Sequence, residues 1–296
     1  MESGANNTPL IAIVGQTASG KSSLAVELAQ QFNGEIICAD SRTVYKGMDI
    51  GTAKPSLDDQ HAVRHYLLDI AQPDKPVTAA AFKQMAQAAI RNIISRGKLP
   101  FLVGGTGLYI DAVLFDFSFS SYPDLRLREE LTAKTVSELQ AMLLAKGIKL
   151  PRNASNHRHL IRQLETGGAS GTKNPLRKNT LVLGLEPPQR DDLEKKLVNR
   201  LDRMLKKGLE GEVEALVAKF GWECPALQTI GYQEFRPYFE GQCDLKEVQE
   251  SIIRNSLQYA KRQKTWFKRN DHIRWICKKE EAVDLITSLL NKNYIG

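Results

Sequence analysis

A chain of 296 residues, 42% of them hydrophobic, can bury the core of one large domain or of a domain with an insertion. No apolar run reaches the roughly 18 residues that a transmembrane helix needs, so we expect no membrane-spanning segment. The net charge of +7, from 41 basic and 34 acidic residues, is compatible with a polyanionic partner but does not require one.

The ends and the cysteines of the chain bear on its compartment. Only nine residues precede the first apolar run, so we expect no signal or transit peptide. Cys38, Cys224, Cys243 and Cys277 form no Cys-x-x-Cys pair, and no histidine lies at zinc-finger spacing from them. Idle thiols in a reducing environment explain them better than disulfides or a metal site. We therefore expect a cytoplasmic protein.

The first predicted strand leads into a phosphate-binding loop. The apolar run 10–14 precedes the loop and a helical pattern over 23–29 follows it, which is the strand–loop–helix context of such loops. The loop consists of Gly15, Gln16, Thr17, Ala18, Ser19, Gly20, Lys21 and Ser22. Its amides and the helix N-terminus favour an anion, Lys21 can neutralise a phosphate, and Ser22 can ligate Mg²⁺. A diphosphate or polyphosphate site is predicted; a glycine-rich turn that binds nothing is the alternative.

The remaining elements are typical of a parallel α/β unit. Strands are predicted at 35–39, 65–70, 99–103, 181–185 and 272–277, and helices at 79–90 and over much of 190–270. The segment 117–179 is mostly charged or helix-patterned and separates the strand at 181–185 from the earlier ones. We predict that it is a helical insertion domain, so that the P-loop core domain comprises 1–116 and 180–296.

Two further loops follow predicted strands and should lie beside the phosphate loop, because ligands of parallel sheets bind beyond the carboxyl ends of the strands. Asp40 follows the strand 35–39 and is either a magnesium partner, a base, or a helix cap. Thr106 lies in the glycine-rich run 104–107, which either approaches a ligand closely or forms a tight turn.

A basic helix is predicted near the C-terminus. Its cations, with no acidic residue among them, are Arg254, Lys261, Arg262, Lys264, Lys268 and Arg269. Tyr259, Trp266 and Phe267 interleave with them, but aromatic residues at helical spacing more often belong to a core than to a base-stacking surface. We therefore expect only the basic residues of this helix to contact a polyanionic partner.

With these motifs in view, the sequence resembles the bacterial-type tRNA dimethylallyltransferases, also called tRNA isopentenyltransferases. The matching motifs appear in the family's order and cover nearly the whole chain: 15–22 (GQTASGKS), 40–45 (DSRTVY), 47–54 (GMDIGTAK), 104–109 (GGTGLY), 158–165 (RHLIRQLE), 230–232 (IGY) and 259–267 (YAKRQKTWF). The phosphate loop alone is widely shared, whereas the combination is specific.

The resemblance implies a P-loop NTPase-like fold and a defined reaction. A dimethylallyl group passes from dimethylallyl diphosphate to the exocyclic N6 amine of the adenosine just 3′ of the anticodon (position 37), in tRNAs that read codons beginning with U, and diphosphate is released. The expected cofactor is Mg²⁺, the expected partner is the tRNA anticodon stem-loop, and a monomer is expected. The target base would have to leave its stack and enter a channel in the protein.

The resemblance also implies the site residues. The catalytic residues are Asp40 as the base that takes the proton of the amine, Thr106 near the reacting centre, and Lys21. The phosphate loop 15–22 binds the diphosphate, and Ser22 binds the metal. The tRNA-binding residues are Asp40, Ser41, Arg42, Thr43, Thr106, Arg126, Arg158, His159, Arg162, Arg254, Gln258, Lys261 and Arg262.

Several of these assignments have alternatives or departures. Arg126 could belong to a solvated helix face. Arg158 and Arg162 share one helix face, ready for phosphate contact, but Arg162 could instead pair with Glu165. Arg42 and Thr43 stand where family members commonly carry Met or Ala and then Gln.

Three other functions are compatible with parts of the sequence. One is a P-loop kinase of nucleotides or small metabolites, and another is an isopentenyltransferase that acts on free adenine nucleotides. Neither needs a basic helix and a basic insertion. A non-catalytic RNA-binding module is the third, and the intact phosphate loop beside Asp40 and Thr106 argues against it.

Overall fold

The computed structural model describes residues 8–119, 124–169 and 171–294. The chain divides into two compact units, Met1–Leu114 together with Leu176–Gly296, and Phe115–Pro175. The limits of the second unit differ by only a few residues from the insertion limits 117 and 179 that the sequence suggests. Each unit has its own apolar core.

A parallel sheet forms the centre of the first unit. Its strands are β1 (Leu10–Val14), β2 (Gly34–Cys38), β3 (His65–Tyr66), β4 (Leu99–Gly104), β5 (Thr180–Leu185) and β6 (Ile273–Ile276). Their order across the sheet is β3-β2-β4-β1-β5-β6, and every pairing is parallel. Ile11 of β1 lies opposite Phe101 on one side and Leu181 on the other. This architecture confirms the predicted α/β class.

The central strands β1 and β4 carry no charged residue, because helices cover both faces of the sheet. All residues of β1, β2 and β4 are buried, as expected for a parallel sheet that contacts no water on its faces. The predicted strand at 65–70 is wrong in its length, since β3 ends at Tyr66. Leu67 and Asp69 have φ of 65° and 53°, and a left-handed backbone cannot continue a strand.

Helices connect the strands and build the insertion. Within the described residues they are α1 (Lys21–Gln31), α2 (Leu57–Ala62), α3 (Ala79–Ser95), α4 (Gly107–Leu114), α5 (Leu125–Thr132), α6 (Val136–Ala145), α7 (His157–Glu165), α8 (Arg190–Lys206), α9 (Leu209–Phe220), α10 (Arg236–Phe239), α11 (Leu245–Phe267) and α12 (Lys279–Tyr294). None of those described is long and apolar enough to cross a bilayer.

The long helix α11 begins at a capping box. The Asp244 carboxylate accepts the Glu247 amide at 2.8 Å, and the Glu247 carboxylate accepts the Asp244 amide at 3.0 Å. Because this start lies well before residue 254, the helix is longer than the predicted basic segment. Its apolar stripe packs beside α8, where Leu193, Leu197 and Ala260 form a small buried cluster.

The second unit is a three-helix assembly within its described residues. Leucine and isoleucine side chains from α5, α6 and α7 form its core: Leu131, Leu139, Leu143, Leu160, Ile161 and Leu164. A capping Asn156 side chain accepts the amides of Arg158 and His159 at 3.1 and 3.3 Å and starts α7. An isolated antiparallel bridge joins Ser118 and Thr172.

Candidate active site

The phosphate loop, residues 15–22, curls tightly between β1 and α1. Ala18 and Gly20 have φ of 58° and 89°, and α1 begins at the next residue, Lys21. The ammonium group of Lys21 donates to the carbonyl of Gln16 at 3.3 Å, across the loop. The amides at the start of α1 therefore lie beside a fixed cation, which is the arrangement that binds phosphate groups.

The loops after β2 and β4 meet beside the phosphate loop. A Cβ on Gly104 would collide with the carbonyl of Ala39, so only glycine permits this approach. The Thr106 amide donates to Ala39 at 3.3 Å, and the Thr106 hydroxyl accepts the Ser41 amide at 3.0 Å. Asp40 lies between these two contacts and accepts the Arg42 amide at 2.8 Å. The structure thus brings Asp40 and Thr106 together, as the sequence predicts.

A cavity of about 480 Å³ opens over these loops. Its polar wall includes Thr17, Gly20, Lys21, Ser22, Asp40, Ser41, Arg42, Thr43, Arg200, Tyr259 and Arg262. Its apolar wall includes Leu197, Leu201, Met204, Leu209, Ile230 and Ile252. One cavity therefore combines cations, a carboxylate and an extended apolar surface, so it can hold a molecule that is anionic at one end and apolar elsewhere.

Burial changes the proton affinity of the loop lysine. Desolvation lowers the pKa of Lys21 to about 8, the Asp40 carboxylate opposes this change, and the Arg200 guanidinium adds to it. Near neutral pH most of the Lys21 side chains are still cationic. A bound phosphate group would stabilise that cation further.

Arg200 is a site residue that the sequence analysis missed. It projects from α8, and its guanidinium donates to the Thr17 hydroxyl at 2.8 Å. Desolvation lowers its pKa, against the opposing effect of Asp40. The spacing of residues along α8 could have indicated this role. Leu193, Leu197 and Leu201 are buried, and Arg200 lies on the same helix face because it follows Leu193 by seven residues. A cation within a buried stripe requires an anionic partner.

Tyr259 is the second residue whose role the sequence analysis did not identify. The phenol lines the cavity and hydrogen bonds with Thr106, and burial together with the Asp40 carboxylate raises its pKa to about 12. The aromatic residue that helical spacing indicated as core material therefore lies at the cavity wall. Of the other two aromatic residues of this segment, Phe267 is buried and Trp266 is partly exposed, with its indole donating to Asp111 at 3.0 Å.

The predicted tRNA-binding residues of the first unit lie in two places. Ser41 and Arg42 are half-buried and Thr43 is buried at the cavity wall. The exposed ones are Arg254, Gln258, Lys261 and Arg262, all on α11. Arg262 reaches both places, since it lines the cavity and its guanidinium lies 5.6 Å from the Tyr259 ring centre.

The predicted tRNA-binding residues of the second unit are Arg126, Arg158, His159 and Arg162. Arg126, Arg158 and His159 are exposed. Arg162 forms the ion pair with Glu165 that the sequence offered as the alternative to a phosphate contact, and its guanidinium donates to the Glu165 carboxylate at 3.2 Å. The Glu165 carboxylate is almost fully buried and also pairs with Arg128 at 2.8 Å. Arg162 therefore neutralises a buried charge, whatever else it binds.

Metal binding at this site would depend on few protein ligands. No group of three or more His, Cys, Asp or Glu side chains that could hold a metal ion occurs in the described part of the chain. Ser22 and Asp40 nevertheless line the same cavity, and both are oxygen donors. Mg²⁺ commonly takes one or two protein oxygens and completes its shell with phosphate oxygens and water, so these residues fit such an ion.

Comparisons with known proteins agree with this geometry. The family model described as IPP transferase matches residues 43–270. A tRNA dimethylallyltransferase of Roseiflexus sp. is 41% identical over 278 residues, which covers 88% of this chain and 90% of the relative. A tRNA dimethylallyltransferase 1 of Trichlorobacter lovleyi is 39% identical over 295 residues and covers 93% and 96% of the two chains.

The chain belongs to the tRNA dimethylallyltransferase (IPP transferase) family.

Solved structures of tRNA dimethylallyltransferases and isopentenyltransferases share the fold. The full-length tRNA isopentenylpyrophosphate transferase of Bacillus halodurans superposes with a TM-score of 0.74 at 36% identity and covers 97% of this chain and 98% of its own. A eukaryotic dimethylallyltransferase, captured in crystallographic snapshots of its action on tRNA, has a TM-score of 0.72 at 27% identity, covering 88% of this chain and 70% of its own. The family model begins after Asp40, whereas the Bacillus halodurans structure matches 97% of this chain and so extends beyond the limits of that model.

Proposed function

We propose that this protein transfers the dimethylallyl group of dimethylallyl diphosphate to the N6 amine of adenosine 37, next to the anticodon, in tRNAs that read codons beginning with U. The carrying observation is the single cavity in which the phosphate loop, Arg200 and Asp40 meet beside an apolar wall. A prenyl diphosphate has the matching division into an anionic and an apolar end. The relatives' names agree with this function and with neither the kinase nor the free-nucleotide alternative.

The reaction breaks the bond between the prenyl carbon and the diphosphate oxygen, and that electron pair leaves with diphosphate. Lys21, Arg200 and the loop amides stabilise the negative charge that develops on the leaving group. When Mg²⁺ is bound through Ser22, it supplies further neutralisation of that charge. The phosphate loop therefore holds a leaving group and need not position a phosphoryl group for attack.

The new bond forms between the N6 nitrogen and the prenyl carbon, and the nitrogen must lose a proton. The lone pair of an adenine amine is delocalised into the ring, so the amine is a weak nucleophile. Asp40 takes the proton as the bond forms, and general-base assistance of this kind contributes about 10²–10⁴-fold to the rate. The Thr106 hydroxyl accepts the amide of Ser41, the residue after Asp40. In the proposed reaction this hydroxyl contacts the diphosphate or its bridging oxygen.

The tRNA substrate would bind through exposed cations. Arg254, Lys261 and Arg262 on α11 are exposed, as are Arg126 and Arg158 of the insertion unit, and Arg262 also lines the cavity. Phosphate contacts of this kind fix the register of an RNA, while the extruded base is read inside the pocket.

A labelling experiment tests the proposal directly. The protein is mixed with labelled dimethylallyl diphosphate, Mg²⁺ and either tRNA, AMP or ATP. Label is expected in a tRNA with adenosine 37 and not in the matched tRNA with guanosine 37. Label in AMP alone would establish the free-nucleotide enzyme, and ATP-dependent phosphoryl transfer without prenyl transfer would establish a kinase.

A further inference from the structure

One buried glutamine joins the two loops that build the site. Gln263 is 5% exposed and lies near the C-terminal end of α11. Its side-chain oxygen accepts the Thr17 amide at 2.8 Å, and its side-chain nitrogen donates to the Gly105 carbonyl at 2.9 Å. Thr17 belongs to the phosphate loop and Gly105 directly precedes Thr106. These partners lie 246 and 158 residues away in sequence, so the contact is purely tertiary.

A primary amide satisfies both contacts. One end of the side chain must accept a backbone N–H and the other must donate to a backbone C=O, which excludes carboxylates, amines and apolar groups. The backbone is also shaped to admit this amide, because a Cβ on Gly105 would collide with the Gln263 nitrogen. The two hydrogen bonds therefore hold the phosphate loop and the Thr106 loop at a fixed separation.

The loops that Gln263 joins carry the reacting groups. Thr17 is held from a second side by Arg200, which donates to its hydroxyl at 2.8 Å. The Thr106 hydroxyl accepts the Ser41 amide, and Thr106 also contacts Tyr259. Tyr259 lies on α11 one helical turn before Gln263. A change in the spacing of these loops would move the bound diphosphate relative to Asp40.

We propose that Gln263 is a positioning residue that sets the spacing between the phosphate loop and the Thr106 loop, and so aligns the leaving diphosphate with the Asp40 base. This rests on the proposed prenyl transfer. Gln263 lies between the exposed Lys261 and Arg262 on one side and the exposed Lys264 on the other, so the helix that offers cations to RNA also fixes the catalytic loops.

The test compares Gln263→Met with Gln249→Met. Methionine keeps the length and approximate volume of glutamine and removes both hydrogen bonds. Gln249 lies on the same helix, is half-buried, and does not line the cavity. For Gln263→Met we expect kcat/KM for dimethylallyl diphosphate to fall about 10–100-fold. The inhibition constant of inorganic diphosphate should rise and the tRNA dissociation constant should stay within about twofold. Gln249→Met should match the wild type in all three.

A second variant, together with KM and the inhibition constant of diphosphate, distinguishes a positioning role from a loss of folding. Gln263→Glu retains the acceptor for Thr17 but places an oxygen against the Gly105 carbonyl, so it should lose activity although its shape is nearly that of glutamine. KM and the diphosphate inhibition constant do not depend on the folded fraction of a preparation, and thermal unfolding records any loss of stability. Wild-type values of both constants in Gln263→Met would overturn the inference. Failure of the wild type to label tRNA would instead overturn the proposed function.

Discussion

At the residue scale, the site places one carboxylate among several cations in a partly apolar cavity. Asp40 acts electrostatically on Lys21 and Arg200, and opposes the loss of their protons that burial would otherwise favour. The same carboxylate raises the pKa of Tyr259. Asp40 therefore serves the resting protein as a counter-charge and, in the proposed reaction, as the base.

The variant Asp40→Asn separates the proposed role of Asp40 as a base from a role in holding RNA. Asp40→Asn keeps an oxygen that can accept the Arg42 amide but cannot take a proton. We expect kcat to fall about 10²–10⁴-fold, with tRNA affinity within about threefold of the wild type. Single-turnover prenylation and tRNA binding without the prenyl donor provide the two measurements. An equal loss of affinity and turnover would show that Asp40 mainly holds RNA.

The lowered pKa of Lys21 predicts that binding of the diphosphate substrate weakens at alkaline pH. Its pKa of about 8 means that the free enzyme loses this cation as pH rises through about 8. We therefore expect kcat/KM for dimethylallyl diphosphate to decline above that pH. The limb in kcat should lie at higher pH, because bound diphosphate stabilises the ammonium form. Lys21→Arg is the control: its guanidinium stays charged, so the alkaline limb should disappear even if overall activity is lower. The same limb in that variant would assign the titration to another group.

At the scale of elements, α11 connects the candidate RNA surface with the cavity. Lys261 and Arg262 are exposed, whereas Ala260, Gln263 and Phe267 are buried, so adjacent positions of one helix face different environments. Because the helix is continuous from Leu245 to Phe267, its exposed and buried faces keep a fixed relation.

The exposed face of α11 can be tested by salt dependence. Lys261→Ala should weaken tRNA binding and reduce the magnitude of the slope of log K against log salt by about one, since one phosphate contact is lost. Lys246, an exposed lysine near the start of the same helix, is the matched control, and its alanine variant should leave the slope unchanged. Equal slopes for wild type and Lys261→Ala would remove this residue from the interface.

Local pattern was sufficient for most elements and for the centre of the site. Strand β1 and the phosphate loop could be located from an apolar run followed by fixed glycine spacing. The end of β3 could not be located in this way, because the left-handed backbone occurs at Leu67 and Asp69 and no glycine marks it in the sequence. Arg200 and Gln263 act through partners more than 150 residues away. The helical period of α8 indicates that Arg200 lies on a buried face, but no local pattern identifies the partner of either residue.

At the scale of the whole molecule, the chain folds around more than one apolar core. The helices α5, α6 and α7 enclose a core that contains only residues of the second unit. The sheet and its helices enclose separate clusters in the first unit. We infer that the two units can lose structure at different stabilities.

A core deletion in the second unit tests this inference. Leu160 is fully buried, and Leu160→Ala should destabilise that unit by about 2–5 kcal/mol. Amide hydrogen exchange should then accelerate in α5, α6 and α7, while β1 and β4 keep their protection. Leu144 of the same unit is 62% exposed, so Leu144→Ala should change stability by no more than about 0.5 kcal/mol. Parallel loss of protection in the sheet would show a single cooperative unit.

The short border strands of the sheet have a consequence for self-association. β3 contributes two residues at one border and β6 four at the other, so each presents few free amide and carbonyl groups. Fibrillar growth requires a long unpaired border on which a foreign strand can dock. The uncharged apolar run of β1, which has the composition of a stacking segment, is enclosed between these borders. The left-handed backbone at Leu67 thus keeps this border too short to pair with more than a few residues of a foreign strand.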